Sequence, residues 1–368
     1  MANHKRLIMA IGFALALATS SQAAGFKGLF DTEARAALLR TSDYAVIRNA
    51  CLRIPANPKW PNLTPIMGLA ATEGYGSDNS AEDFSWAVMV LTGRALAGDK
   101  PSSKNLKDLL FRWADANAFS QTEEVYDAYY ALKRQLLPLA VAYQVLLPSL
   151  SQDEATKLNV WLDPLVRRMD KIFDGDVDTN NHRVLADSVL ALWGSINGDK
   201  PLLDKGLSRY ATVLSETRAD GTLELEARRG SRALWYQRQT LSSMVVIAET
   251  ARGQGIDLYS QRAEDGRAMP TLIGALMNGL SSPVLVTVYA AENHIPGPEK
   301  DFLKLDLGFL ETRGHGRHYM AWSEAAAHAG EDLSYQRLTG LLDRDLAKQR
   351  PLIDEFAGGN TTCFWGQP

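Results

Sequence analysis

The sequence lacks the charge balance that is typical of a nucleic-acid-binding protein. Its 368 residues include 39 Lys and Arg against 43 Asp and Glu, a formal net charge of −4 at pH 7. No basic excess therefore supports nucleic-acid binding across the whole surface, although a local basic cluster could still bind a polyanion. Hydrophobic residues make up 46% of the chain, which is enough for a large core and excludes global disorder.

Long apolar runs are also scarce. The apolar run at residues 7–18 follows a short basic start and precedes Ser-Gln-Ala at 21–23, a small-x-small cleavage pattern. This run is too short to span a bilayer comfortably. We expect a signal peptide at residues 1–23 and one exported domain at residues 24–368. That domain is predicted to be a periplasmic or secreted monomer without membrane contact.

Only two cysteines are present, Cys51 and Cys363. In an exported protein such a pair can form a disulfide, which here would join the two ends of the mature chain. Closing so long a loop would stabilise the fold by about 5 kcal/mol in the chain-entropy model. Two free buried thiols are the alternative, and the sequence leaves both open.

No long stretch shows the strict alternation of apolar and polar residues that a half-buried strand requires. Helical periodicity dominates instead. Residues 81–98 place Phe84, Val88 and Leu91 near one face, and several later segments repeat this pattern. The one β-like run is SPVLVTVYAA, residues 282–291.

The tetrapeptide Gly-Asp-Lys-Pro occurs twice, at 98–101 and at 198–201. Each copy follows an apolar helical segment and precedes a more polar one, and Gly and Pro suit the end and the start of a helix. Repeated helical hairpins favour an all-α fold, an (α/α) toroid. No linker rich in Pro, Ser or Gly divides the chain. The polar loop 72–83 is a candidate lid over the helical scaffold.

Metal-binding patterns are missing as well. His315 and His318 form a His-x-x-His pair, but no HExxH motif or cysteine pair supports a metal site. We interpret both, and His294, as surface or loop-anchoring residues, and His328 as a residue at a helix end. No cofactor is expected.

Two segments carry residues that could do chemistry. DTNNHRV, residues 178–184, lies just before an apolar run, where a helix start is expected. Residues 220–239 carry several arginines and Tyr236. Arg229 lies seven residues before Tyr236, so within one helix both side chains would project from the same face. A solvated basic helix face is the alternative.

Asn181, His182, Arg229 and Tyr236 together suit β-elimination from a uronic-acid polymer. The reaction requires neutralisation of the C6 carboxylate, removal of the C5 proton and protonation of the leaving oxygen at C4. An amide and a guanidinium can hold the carboxylate as enolate-like charge develops. An imidazole and a phenol can exchange the protons, and nearby positive charge would ease ionisation of the phenol.

These motifs resemble the alginate lyase family, polysaccharide lyase family 5. That family shows an NNH motif and a segment similar to DGTLELEARRGSRALWY, residues 220–236, which aligns without a gap. Weaker similarity covers LTGRALAGDKP, RWADANAF, LKRQLLPLAVAY, YGSD at 75–78 and RPLIDEFAGGNTT at 350–362. The resemblance implies an (α/α) toroid, an incomplete barrel, with an open substrate groove. It also implies a metal-independent lyase that leaves 4,5-unsaturated uronate ends.

The resemblance also implies roles for single residues. Asn181 and Arg229 would neutralise the carboxylate, Tyr236 would act as the acid, and His182 and Tyr236 share the role of base. Substrate contacts are expected from a set of polar side chains along the groove. These are Tyr75, Lys133, Arg232, Arg317 and Arg350, with Arg313 as a further candidate. For each of these a plain salt bridge is the alternative.

The chain departs from the family pattern where aromatic residues would help to hold sugar rings. Leu185 and Gln239 stand at two such positions. Polymannuronate is the first expected substrate, with glucuronan or hyaluronate as alternatives. A glycoside hydrolase using carboxylates among Asp220, Glu224 and Glu226 is a second class, and a non-catalytic polysaccharide-binding protein is a third.

Overall fold

The computed structural model describes residues 25–72, 76–175, 179–282, 284–292 and 305–368. The predicted signal peptide lies outside this range, as do Tyr75 and His294. Helices within the described residues, in chain order, are α1 Thr32–Leu39, α2 Ala45–Leu52, α3 Glu82–Leu96, α4 Lys100–Asp115, α5 Tyr126–Leu146, α6 Gln152–Ile172, α7 Asn181–Asn197, α8 Lys200–Glu216, α9 Glu224–Ala227, α10 Ala233–Gly253, α11 Met269–Ser281, α12 Val284–Glu292, α13 Ser323–Ala326, α14 Leu333–Leu341 and α15 Thr361–Trp365. None of them is both long and apolar enough to cross a membrane.

Both Gly-Asp-Lys-Pro turns connect antiparallel helices, as predicted. Gly98 and Gly198 adopt φ values of +91° and +70°, a left-handed conformation that glycine adopts without steric strain. Asp199 then accepts a hydrogen bond from the backbone N–H of Leu202 at 3.2 Å, which caps α8. At the first turn, Asp99 instead pairs with Arg94 at 2.6 Å. The same local sequence thus ends one helix and begins the next at both places.

The helices form two layers. α3, α5, α7 and α10 contact one another in that order and are buried over most of their length. α4, α6 and α8 bury one face and expose the other. This inner and outer arrangement of helical hairpins is an α/α toroid, so the predicted fold class is confirmed.

The C-terminal residues lie across the inner helices. Strands β1, Ile353–Asp354, and β2, Gly359–Asn360, pair antiparallel. The tight turn Glu355–Ala357 between them contacts α5 and α10. This hairpin delivers two acidic side chains, Asp354 and Glu355, to the interior of the toroid.

The two cysteines are joined. Cys51 on α2 and Cys363 on α15 form a disulfide whose Cα atoms are 5.5 Å apart and 312 residues apart in sequence. The disulfide was one of two open alternatives from the sequence, and the fold decides it because both cysteines are buried at one packing contact between α2 and α15.

The β-like interpretation of residues 282–291 is wrong. Val284–Glu292 form helix α12, which contacts α10 and α11. Valine-rich runs favour strands only weakly, and packing against neighbouring helices overrides that local preference.

Candidate active site

The NNH motif lies at the first turn of α7. The side chain of Asn180 accepts a hydrogen bond from the backbone N–H of His182 at 2.8 Å, so Asn180 is the N-cap residue. Asn181 is thereby available for a different contact. Its backbone N–H donates to Glu226 Oε1 at 2.7 Å, and its side-chain Nδ2 donates to Glu226 Oε2 at 3.0 Å.

His182 is held through both its ring and its backbone. The imidazole stacks on the ring of Tyr130 with centroids 4.1 Å apart. The carbonyl oxygen of His182 accepts a hydrogen bond from Lys133 Nζ at 2.7 Å. Because Tyr130 and Lys133 both belong to α5, this inner helix fixes the start of the next one, α7.

Tyr130 also connects His182 to α10. Gln239 Nε2 donates a hydrogen bond to the hydroxyl oxygen of Tyr130 at 3.1 Å. Gln239 lies three residues after Tyr236 and therefore projects from nearly the same face of α10. Tyr130 thus spans the space between the imidazole and the helix that carries the predicted catalytic phenol.

Arg229 and Tyr236 are in contact. The guanidinium carbon of Arg229 lies 4.3 Å from the centroid of the Tyr236 ring. The predicted cause, two turns of one helix, is wrong. Arg229 precedes the 3-10 turn Gly230–Arg232, and α10 begins only at Ala233. The contact arises because this break in the helix bends the chain back toward the first turn of α10.

Three of the four predicted catalytic residues, Asn181, Arg229 and Tyr236, are joined by contacts through Glu226. Glu226 binds Asn181, and the charge of Arg229 acts on the same carboxylate. Arg229 covers the ring of Tyr236, and His182 follows Asn181 directly. The structure therefore brings together the amide, guanidinium and phenol near the starts of α7 and α10, and it links the imidazole to α10 through Tyr130 and Gln239.

Glu226 is fully enclosed, which affects its ionisation. Burial raises the pKa of its carboxyl, while the two hydrogen bonds from Asn181 and the charge of Arg229 oppose that rise. The sequence aligned Glu226 with the family segment but gave it no role in the elimination.

Predicted substrate contacts fall into two groups. Lys133 is fully buried, and its ammonium lies 3.7 Å from the ring centroid of Phe173 as well as at the His182 carbonyl. Arg317 pairs with Glu82 at 2.6 Å and with Glu355 at 2.7 Å. These positive charges are engaged inside the protein.

Arg350 belongs to the same internal group. It forms a bidentate ion pair with Glu324, both distances being 2.8 Å, and also donates to the carbonyl oxygen of Gln367. The pair fastens the C-terminal segment to α13. The salt-bridge alternative that was open for Arg350 is therefore what the structure shows.

Arg232 and Arg313 keep solvent access near Tyr236. Their guanidinium carbons lie 4.8 and 5.0 Å from Trp235, the residue before Tyr236. Arg232 also pairs with Asp306 at 3.3 Å, with 24% of its side chain exposed. Two cations thus flank one indole beside the predicted catalytic phenol.

A second charged cluster adjoins the site, and sequence analysis missed two of its members, Arg134 and Arg238. Glu355 accepts from Arg134 and from Arg317, each at 2.7 Å, while the fully buried Arg238 lies 3.4 Å from Asp354. Although burial opposes ionisation, the two guanidinium groups hold the pKa of Glu355 below its usual range. Burial raises the pKa of Asp354, and the neighbouring charge of Glu355 adds to the rise.

Tyr130 is the other site residue that sequence reasoning missed. It stands three residues before Lys133, which is one turn of a helix, so the two were recoverable as neighbours on α5. The guanidinium carbon of Arg134 lies 5.9 Å from its ring centroid, which links the second charged cluster to the stacked pair.

Comparison with known proteins identifies a family model that matches part of the chain and solved structures with a similar fold. The profile of the family described as Alginate lyase matches residues 106–284. A polysaccharide lyase of Stenotrophomonas maltophilia is 26% identical over 54% of this chain and 60% of its own length. An alginate lyase of Pseudomonas fluorescens is 30% identical over 47% of this chain and 48% of its own. The chain thus spans about half to three-fifths of the length of these relatives.

Solved structures agree over nearly the whole chain. A complex of alginate lyase A1-III with a tetrasaccharide superimposes with a TM-score of 0.75 at 22% identity, covering 94% of this chain and 98% of that one. An alginate lyase from Bacteroides ovatus gives a TM-score of 0.64 at 15% identity, covering 93% and 99%. At these identities the likeness establishes the fold.

Proposed function

The chain belongs to the alginate lyase family, and we propose on this basis that it cleaves alginate by β-elimination. The observation that carries the proposal is the contiguous set in which Asn181, Arg229 and Tyr236 meet beside His182. Amide and guanidinium donors are the groups that can neutralise a uronate carboxylate. Imidazole and phenol are the groups that can move its protons.

The proposed reaction has three coupled steps. Asn181 and Arg229 bind the C6 carboxylate of the uronate at the cleavage site, and the C5 proton passes to a base, His182 or Tyr236. The electron pair of the C5–H bond forms the C4–C5 double bond as the C4–O bond breaks. Tyr236 donates a proton to the departing glycosidic oxygen. The positive charge of Arg229 beside the phenol stabilises the ring when it carries negative charge.

We further propose that Arg232 and Arg313 bind carboxylates of neighbouring sugar units. Both guanidinium groups flank Trp235, immediately before Tyr236, and both retain solvent access. A polymer with one carboxylate per unit would present several anions to such a surface. Polymannuronate is the first candidate polymer.

Another polyuronate is the second candidate, because the two expected aromatic positions are occupied differently here. Leu185 is fully buried in the core, and the amide of Gln239 is bound to Tyr130. Polymannuronate, polyguluronate, glucuronan and hyaluronate, each incubated with the purified protein, would separate these substrates. The conjugated double bond of an elimination product absorbs ultraviolet light, which gives the rate directly.

The decisive variant is Tyr236→Phe. We expect it to lower the cleavage rate by about 10²–10⁴-fold, the usual contribution of a proton-transfer group. Circular dichroism would verify that the variant is folded. Undiminished cleavage would remove Tyr236 from the mechanism and the proposed mechanism with it.

Hydrolysis is the competing reaction class. Glu224 and Glu226 both line a cavity of about 360 Å³. However, Glu224 pairs with Arg228 and Glu226 is bound to Asn181, so neither carboxylate is placed as a paired acid and base across a glycosidic bond. Chain cleavage without ultraviolet absorbance would favour hydrolysis over elimination.

We propose that the protein is exported to the periplasm or the medium as a monomer. The basic start and the apolar run within residues 1–23 support export, and the Cys51–Cys363 disulfide suits an oxidising compartment. N-terminal sequencing of the protein from a periplasmic extract tests the cleavage site. A mature chain that still begins at residue 1 would contradict the proposal.

A further inference from the structure

Both carboxylate oxygens of Glu226 accept hydrogen bonds from one residue, Asn181. The side chain is 2% exposed, and it accepts the backbone N–H of Asn181 at 2.7 Å and the Asn181 side-chain Nδ2 at 3.0 Å. Since Asn181 is the first residue of α7 and Glu226 belongs to the short helix α9, this pair of bonds ties two separate elements together.

Glu226 also contacts the second residue that would neutralise the substrate, Arg229. The backbone N–H of Arg229 donates to the Glu226 carbonyl oxygen at 3.1 Å, and the charge of Arg229 acts on the Glu226 carboxylate. Glu226 therefore contacts both Asn181 and Arg229, whose common task, in the proposed reaction, is to hold one anionic group.

An ionised carboxylate accepts hydrogen bonds and donates none. Glu226 therefore binds the nitrogen end of the Asn181 amide and not its oxygen end. The fully buried Asn181 side chain turns its nitrogen toward Glu226 and donates one hydrogen there. In the proposed complex, the second hydrogen of this nitrogen binds the substrate carboxylate. The two ends of an amide are nearly alike in shape. Without the carboxylate, the amide could rotate and present its oxygen to the anionic substrate, which would repel it.

We propose that Glu226 is a positioning residue that orients the Asn181 amide toward the carboxylate of the reacting uronate. This inference rests on the proposed function. Glu226 itself touches no substrate atom in this scheme and acts through Asn181.

The first test is Glu226→Gln, which keeps the size of the side chain and removes the second acceptor oxygen. We expect kcat to fall by about 10–100-fold, because small displacements of substrate-holding groups have effects of this size. KM should change much less, since neutralisation of the carboxylate matters most in the transition state.

Glu249→Gln is the matched control. Glu249 is also 2% exposed, lies on α10, and accepts a hydrogen bond from the Tyr259 hydroxyl at 2.9 Å. Its replacement removes a buried carboxylate of equal size that is bound to Tyr259 rather than to Asn181. We expect kcat to remain that of the wild type. An equal loss of kcat in both variants would reduce Glu226 to a structural role and overturn the proposal.

A double-mutant cycle tests whether Glu226 acts through Asn181. In the Asn181→Ala background, Glu226→Gln should lower kcat by less than threefold, because the amide that it orients is already gone. If the fold-losses in kcat of the two single variants multiply in the double variant, Glu226 and Asn181 act independently. That result would contradict the proposal.

A readout without turnover separates this inference from the proposed function. In ¹⁵N-labelled protein the two side-chain amide protons of Asn181, identified by their loss in Asn181→Asp, should have well-separated shifts in the wild type. In Glu226→Gln their separation should shrink or their signal should broaden. Unchanged amide signals would overturn the positioning role. Absence of cleavage by the wild type, with shifted amide signals, would instead reject only the proposed function.

Discussion

The imidazole of His182 stacks against the phenol ring of Tyr130, with centroids 4.1 Å apart and planes inclined by 26°. Tyr130 is in turn bound by Gln239, and the His182 carbonyl is bound by Lys133. A proton-transfer group must be held in one orientation to work efficiently. Here that orientation is set by an aromatic face, a lysine and a glutamine that sequence analysis had placed in other roles or not considered.

Replacing Tyr130 tests the stacking. Tyr130→Leu should lower kcat/KM about tenfold, since losing roughly 1.4 kcal/mol of ring contact and orientation corresponds to that factor. Tyr130→Phe keeps the ring and should retain most activity. Initial rates followed by ultraviolet absorbance give both values. An equal loss in the two variants would assign the effect to the hydroxyl and contradict a role for the stacked ring.

The disulfide should dominate the stability of the terminal packing. A Cys51→Ser, Cys363→Ser double variant opens a loop of 312 residues. The free energy of unfolding should therefore fall by several kcal/mol, up to about 5 kcal/mol in the chain-entropy model. Urea unfolding with and without reductant measures it. Reductant should lower the midpoint of the wild type and leave that of the variant unchanged. Equal midpoints for oxidised wild type and variant would refute the expected stabilisation.

His318 should make the fold sensitive to acid. Burial lowers the pKa of its imidazole to about 4. The unfolded chain, with a histidine pKa near 6.5, therefore takes up the proton first as the pH falls. The stabilisation is complete above about pH 6.5 and is lost between about pH 6.5 and pH 4, an expected change of about 3 kcal/mol from this residue.

The measurement is the free energy of urea unfolding across that pH range for the wild type and for His318→Gln. The variant should show a shallower decline with acid. Replacement of the exposed His328 by Gln serves as the control, because it changes no buried imidazole. The same slope in the wild type and His318→Gln would show that His318 does not cause the acid sensitivity.

Local features of the sequence predicted much of the fold. The helical periodicity and the two Gly-Asp-Lys-Pro turns depend on neighbours within one or two turns, and the hairpins α3–α4 and α7–α8 form where they were expected. The run at 282–291 was misread because its valines carry only a weak local preference, and the contacts that decide its state come from α10 and α11.

Within the candidate site, the sequence predicted which side chains could carry the chemistry but did not predict which residues they contact. Residue types and motif similarity selected Asn181, His182, Arg229 and Tyr236. The prediction that Arg229 and Tyr236 project from one continuous helix is wrong. Residue spacing alone does not show where a helix is interrupted, and here the 3-10 turn lies between the two residues. Arg350 could not be assigned between polymer and salt bridge until its bidentate contact with Glu324 was visible.

The sequence by itself determined a helical chain made of hairpins and the set of functional groups it carries, because both follow from local periodicity and residue identity. The tertiary structure alone decided that Glu226 lies against Asn181, 45 residues away, that Tyr130 stacks on His182, and that Cys51 meets Cys363. These contacts depend on how the ends of separate helices pack. No pattern within a single segment encodes that packing.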